Sequence, residues 1–206
     1  MYTLYYSPGV CSMSVHVTLE ELGLDFEAKK VDLSKGEHKE PEYLKINPRG
    51  QVGALQTPGG IISENAAMIV YLNDEHEGEL IPQAGYARAQ ALQWLMYANS
   101  TMHPAYAKAL FAKKNEASDE IMKTACDGIQ DQWNLVEGQL EQSGGPYLMG
   151  EHFGPGDIYL AVVANWKFIP HLPKFGEKTK KFLKTVTARP SFQAVLEREG
   201  VDYKAI

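Results

Sequence analysis

The chain has 206 residues, 44% of them hydrophobic, and carries 20 Lys and Arg against 26 Asp and Glu for a formal net charge of −6. That length holds one large domain or two small ones, with core enough to fold without covalent staples. The acidic balance, with no basic run, points away from nucleic acid and from anionic membranes; the two cysteines, Cys11 and Cys126, are too few and too far apart for a disulfide scaffold or a metal-ligand spacing.

The opening residues Met1 to Tyr6 lack a charged leader followed by a long apolar stretch, and no later segment approaches the roughly 20 apolar residues that a bilayer requires. The expectation is a soluble, cytoplasmic protein in a reducing compartment. Tyr2 to Tyr6 is aromatic-rich and predicts a strand, stopped by Ser7-Pro8-Gly9. A helix follows, with Val15, Leu19 and Leu22 on one face and Gly23 at its end. Phe26 to Leu33 returns as a strand, completing a β-α-β unit with a right-handed crossover. Ser34 to Asn47 is polar and reads as a loop or a short irregular helix, and Asn47-Pro48-Arg49-Gly50 is turn chemistry. Val52 to Thr57 and Ile61-Ile62 flank Pro58-Gly59-Gly60, a hairpin signal. A helix from Glu64 to Glu75 then carries Met68, Ile69 and Leu72, with Ser63 as its expected N-cap.

After Leu80-Ile81-Pro82 the pattern is helical to the end. Tyr86 to Phe111 reads as one long helix kinked or broken by Pro104. Ile121, Ala125, Ile129, Trp133, Val136 and Leu140 form the stripe of another, capped by Ser118 and ended by Gly144-Gly145-Pro146. Ile158 to Phe168 is nearly all apolar and predicts a helix buried on most sides; shorter helices follow around Phe182 and Phe192. The fold class is therefore α/β followed by all-α, with an α/β domain over 1–79 and a helical domain over 86–206, joined by a short hinge.

Nucleotide-loop, serine-hydrolase and zinc-protease motifs are absent, and the six histidines show no i, i+4 pairing for a metal. Cys11 stands out by position. It follows strand and turn, at the first turn of the first helix, where free N–H groups and the helix dipole favour a thiolate. No cysteine stands two or three residues away, so a partner thiol must come from outside. Cys126, on the apolar stripe, reads as a packing residue.

Tyr6-Ser7-Pro8-Gly9-Val10-Cys11-Ser12, Asn47-Pro48-Arg49-Gly50-Gln51-Val52, Glu64-Asn65 before Tyr71-Leu72, Gly150-Glu151 to Asn165-Trp166, and Arg189-Pro190-Ser191-Phe192 through Glu199-Gly200 together resemble a bacterial beta-class glutathione S-transferase. The resemblance spans essentially the whole chain. It implies a thioredoxin-like domain that holds glutathione as co-substrate, an all-helical domain that supplies a pocket for a small hydrophobic electrophile, a homodimer, a detoxifying transferase activity and no metal. Carried over by position, it makes Cys11 the residue that contacts the glutathione sulfur and exchanges mixed disulfides with it, and His103 the active-site histidine. Lys35 falls near the glycine end of glutathione, Val52 against its cysteinyl backbone, Glu64 and Asn65 at its γ-glutamyl end, and Ser100 in a glutathione-contacting turn. Tyr106 and Trp166 are the aromatic candidates for the second-substrate pocket.

Two departures bear on that expectation. Gly53 stands where thioredoxin-like proteins carry a cis-proline, and a cis bond before a residue other than proline costs about 2.5–4 kcal/mol. Either the fold enforces the cis bond at Val52–Gly53, or the loop turns trans and the Val52 contact is displaced. Met96 replaces an asparagine that in related enzymes helps hold glutathione across the dimer interface. A non-catalytic dimer that binds hydrophobic ligands or a protein is the alternative these departures favour; a glutaredoxin-like reductase is opposed by the missing C-x-x-C. Gly154 stands at a helix N-cap, where Asp157 is expected to reach back to its N–H.

Overall fold

The computed structural model describes all 206 residues. Strands β1 (Tyr2–Tyr6) and β2 (Phe26–Lys30) flank helix α1 (Ser12–Glu21); a single turn of 3₁₀ helix (Glu37–Lys39) and α2 (Pro41–Ile46) lead to the hairpin β3 (Ala54–Thr57) and β4 (Gly60–Ser63), followed by α3 (Asn65–Glu75). The four strands form one sheet in the order β2-β1-β3-β4. β1 pairs parallel with β2, Leu4 opposite Ala28, and antiparallel with β3, Leu4 opposite Leu55. Tyr2, Leu4 and Tyr6 are buried and alternate with half-exposed Thr3 and Tyr5, the period of two expected where one face carries the denser packing. This is the thioredoxin-like arrangement, and the helical remainder packs onto α1.

The second part comprises α4 (Gly85–Tyr97), α5 (His103–Lys114), α6 (Asp119–Ser143), α7 (Pro155–Ala164), α8 (Glu177–Thr187) and α9 (Pro190–Glu199). α7 is the central element: all ten of its residues are buried. Its Gly156 is required by close packing, since a Cβ there would sit 2.7 Å from the Cβ of Trp94 in α4. Asp157 accepts from the Gly154 amide at 2.7 Å and the Leu148 amide at 3.0 Å, so the expected cap forms. Ser118 caps α6 by accepting from Ile121 N–H. One continuous apolar core runs from β1 through α1 and α7 to α9.

Several local expectations change. Ser63 does not cap α3, because its backbone is committed to the sheet opposite Ala54; Glu64 occupies the cap instead, at φ 75°. The expected 86–111 helix is interrupted before Pro104. Pro104 has no N–H to donate within the helix, and the chain widens into a π-helical turn over Ala98–Met102, with His103 N–H bonded to Ala98 O. α5 then begins at His103 with Pro104 in its first turn. On α6, Ile121 is exposed and the buried stripe starts at Met122 and includes Cys126. β2 ends at Lys30, three residues short of Leu33, and the 34–47 stretch contains an ordered helix. The Val52–Gly53 peptide is cis, the first of the two alternatives. No helix is long and apolar enough to cross a membrane.

Candidate active site

The sheet and the helical part meet at a cleft of about 610 Å³. Its walls come from the loop before α1, the Asn47–Gly53 turn, the β4–α3 junction and the start of α5. Cys11 sits at the N-cap of α1, half-buried, and its thiol donates to the Val52 carbonyl at 3.6 Å. Gly53 lies so close beneath this helix start that a Cβ on it would be 3.0 Å from both Ser12 Cβ and the Tyr5 carbonyl. The position thus admits no ordinary side chain without local movement.

The electrostatics of Cys11 differ from the helix-dipole expectation. Burial pushes the thiol up; a hydrogen bond from the Asn65 side chain opposes the rise, while the Glu64 carboxylate adds to it. Desolvation is the largest influence on the sulfur, ahead of the hydrogen bonds that favour the thiolate.

Asn65 and His103 face the cleft from opposite parts of the molecule. They are joined through one hydroxyl: Asn65 Nδ2 donates to the Tyr159 oxygen at 3.2 Å, and His103 Nδ1 lies 2.9 Å from the same atom. Burial lowers the His103 pKa, with Glu64 opposing. The ring is held edge-on against Trp166, centroids 4.9 Å apart. Glu64 pairs with Arg49 across the cleft mouth. Val52, Cys11, Glu64, Asn65 and His103 are thus brought together as the sequence implied.

Four expected site residues are not. Lys35 is absent from the wall; its exposed ammonium reaches Asp32 at 3.6 Å. Lys39, one turn further along, lines the cleft instead and donates to the Gly50 carbonyl at 2.9 Å. Ser100 faces away, its hydroxyl donating to Met96 O at 2.6 Å, because the π turn carries Asn99 to the wall in its place. Tyr106 is fully buried and accepts from Trp133 Nε1 at 3.0 Å, so it is core. Trp166 is nearly buried, and its indole N–H donates to the Gly9 carbonyl at 2.9 Å. Pro104 and Ala107 form the helical wall that the aromatics were expected to supply.

Sequence reasoning missed Lys39, His38, Asn99 and Tyr159. Only Tyr159 left a signal: a lone hydroxyl in an apolar run has to find a partner once buried. His38 borders the cleft with a buried Nδ1 that has no hydrogen-bond partner in the protein.

A thioredoxin-like sheet, a cysteine at the start of its first helix and a second, helical part closing a cleft over that cysteine define the architecture of glutathione-dependent transferases. Residues 1–74 match the family model described as the N-terminal domain of glutathione S-transferase. Glutathione S-transferase GstA of Escherichia coli O157:H7 is 30% identical over 203 residues, covering 96% of this chain and 98% of its own length. A glutathione transferase from Methylococcus capsulatus is 31% identical, with TM-score 0.84 and coverage of 97% and 99%. A transferase homologue from Sulfitobacter, solved with bound glutathione, is 30% identical with TM-score 0.78, covering 96% of this chain and 98% of that one. The chain belongs to the glutathione S-transferase family.

Proposed function

We propose that the protein is a glutathione transferase that binds glutathione in the cleft beside Cys11 and either directs its thiolate at a small hydrophobic electrophile or exchanges mixed disulfides with it through Cys11. The observation that carries the reading is the convergence of Cys11, Val52, Glu64, Asn65 and His103 on one cleft. Residues 1–79 hold glutathione and 86–206 supply the second-substrate wall. Val52 offers backbone groups to the cysteinyl part as an added strand would. The backbone N–H groups of the first turn of α3, that of Asn65 among them, receive the γ-glutamyl carboxylate, and Glu64 faces its ammonium.

At the glycine end, Lys39 and the unpartnered His38 take the role first given to Lys35. An ammonium and a ring nitrogen already at the wall anchor a carboxylate with less ordering cost than a lysine that must leave Asp32. The electrophile packs against Pro104 and Ala107. Rate comes from lowering the glutathione thiol pKa and aligning the two reactants. The protein acts in the cytoplasm, where the thiol stays reduced, and as a homodimer.

Glutathione titration by calorimetry, followed by mass spectrometry after exposure to oxidised glutathione, tests the reading. Saturable binding and a Cys11 adduct that disappears in Cys11→Ala are expected. Absence of binding would return the protein to the alternative of a non-catalytic ligand-binding dimer, and an adduct that persists in Cys11→Ala would remove the disulfide role.

A further inference from the structure

Tyr159 sits where the reading above assigns nothing. It lies on α7 with no solvent exposure, yet its hydroxyl meets polar side chains from two other elements. Asn65, which opens α3, donates to it from 3.2 Å. His103, which opens α5, places Nδ1 at 2.9 Å. Asn65 and His103 both line the cleft that holds Cys11. One buried hydroxyl therefore joins two side chains of the cleft wall.

Counting protons fixes the direction of these bonds. A phenol donates one hydrogen and can accept others. With Asn65 donating into the oxygen, the phenolic proton requires an acceptor, and His103 Nδ1 is the one within reach. Reversing the second bond would leave the buried O–H without an acceptor, which is unfavourable. Burial holds Tyr159 far above the ordinary phenol range, so the proton stays on oxygen. Nδ1 accepts only when the ring is neutral with its hydrogen on Nε2, and burial of His103 favours the neutral ring. The edge contact with Trp166 fixes the ring plane.

We propose that Tyr159 is a positioning residue that fixes His103 as the Nε2–H tautomer and holds Asn65 in the cleft wall, so that the imidazole presents a hydrogen-bond donor, and not a base, to the cleft. The tautomer stands on the geometry alone. Its consequence for turnover rests on the glutathione transferase reading: His103 stabilises negative charge on a bound sulfur or on the electrophile instead of removing the thiol proton.

Long-range ¹H–¹⁵N spectra of histidine-labelled protein, without glutathione and with His103 assigned by its loss in His103→Gln, test the tautomer directly. The wild-type ring is expected as Nε2–H, and Tyr159→Phe as an average of both tautomers. A wild-type proton on Nδ1, or an unchanged pattern in Tyr159→Phe, would overturn the proposal. The wild-type spectrum needs no variant, so it decides even if Tyr159→Phe folds poorly. With saturating glutathione and an aryl halide, Tyr159→Phe is expected to lose kcat on the order of tenfold. Unchanged kcat in a variant with a shifted tautomer would sever the link to turnover. Wild-type protein that neither binds nor consumes glutathione would overturn the function while leaving the tautomer to the spectrum.

Discussion

The indole of Trp166 donates to the carbonyl of Gly9 at 2.9 Å, two residues before Cys11 in sequence. The amide of the same glycine donates to Glu199 Oε2 at 2.8 Å, and the other oxygen of Glu199 meets His16 Nδ1 at 2.7 Å. Both polar groups of Gly9 are therefore held by the helical part of the molecule. Gly9 adopts φ 68°, a left-handed conformation that glycine reaches without steric cost. The loop that delivers the cysteine is thus shaped by its own sequence and held by residues more than 150 positions away.

Separate substitutions divide that support. Trp166→Phe keeps an aromatic ring beside His103 and removes one hydrogen bond, for an expected loss of about 1 kcal/mol. Glu199→Ala leaves both His16 and the Gly9 amide without their partner and is expected to cost about 3 kcal/mol. Urea unfolding measures both. Equal losses would mean that the carboxylate is no more important than the indole bond.

The raised Cys11 pKa predicts the reactivity of the free protein. Alkylation by iodoacetamide, followed on the Cys11 peptide, should be slower at neutral pH than for an ordinary thiol and should keep rising past about pH 8.5. The sign for each neighbour follows from charge. Glu64→Gln removes a carboxylate that opposes ionisation and should shift the profile to lower pH. Asn65→Ala removes a donor that favours the thiolate and should shift it higher. A profile centred below that of free cysteine would show the helix terminus prevailing over burial.

The fold was legible because its elements carry strong periodicity. The alternation in Tyr2–Tyr6, the Pro58-Gly59-Gly60 turn and the apolar Ile158–Ala164 run each have one economical structural solution. The convergence of Cys11, Glu64, Asn65 and His103 on one cleft was legible through the family resemblance, since they lie at element starts whose positions the fold fixes. Lys35 and Ser100 lie off the cleft wall for a different reason. Each is displaced by a neighbour within four residues, Lys39 and Asn99, and the choice depends on how the 34–47 segment coils and on the extra residue in the π turn. Tyr106 and Trp166 lie in the core because their polar atoms are satisfied there, and sequence cannot distinguish such an aromatic from one that lines a pocket.

Asp157 offers a test of stability against pH. Burial pushes its carboxyl up to about 7, although the Leu148 and Gly154 amides pull it down. A folded pKa above the ordinary value of 3.8 means that the folded state binds the extra proton. Its contribution is then fully present below about pH 4 and is lost as pH rises through 7. Asp157→Ala removes the cap and should cost about 2 kcal/mol. Its stability should also fall less than that of the wild type between pH 5 and 8 in chemical denaturation. Parallel pH profiles would show that the carboxylate is ionised in both states, with the two amide bonds prevailing over burial.

Lys35 and Lys39 provide a paired comparison at the glycine end of the cleft. Lys39 already stands at the wall, bonded to Gly50 O, whereas Lys35 is exposed and associated with Asp32. A charge-assisted bond to the glutathione carboxylate would make Lys39→Ala weaken glutathione binding roughly tenfold. Lys35→Ala should change it less than about twofold, as expected of a solvent-screened charge. Calorimetric titration at two salt concentrations separates the cases, because a wall contact loses less affinity to salt than a distant attraction. If Lys35→Ala proved the more damaging, the 34–47 segment would have to rearrange on binding, and the position implied by the family resemblance would prevail over the unliganded geometry.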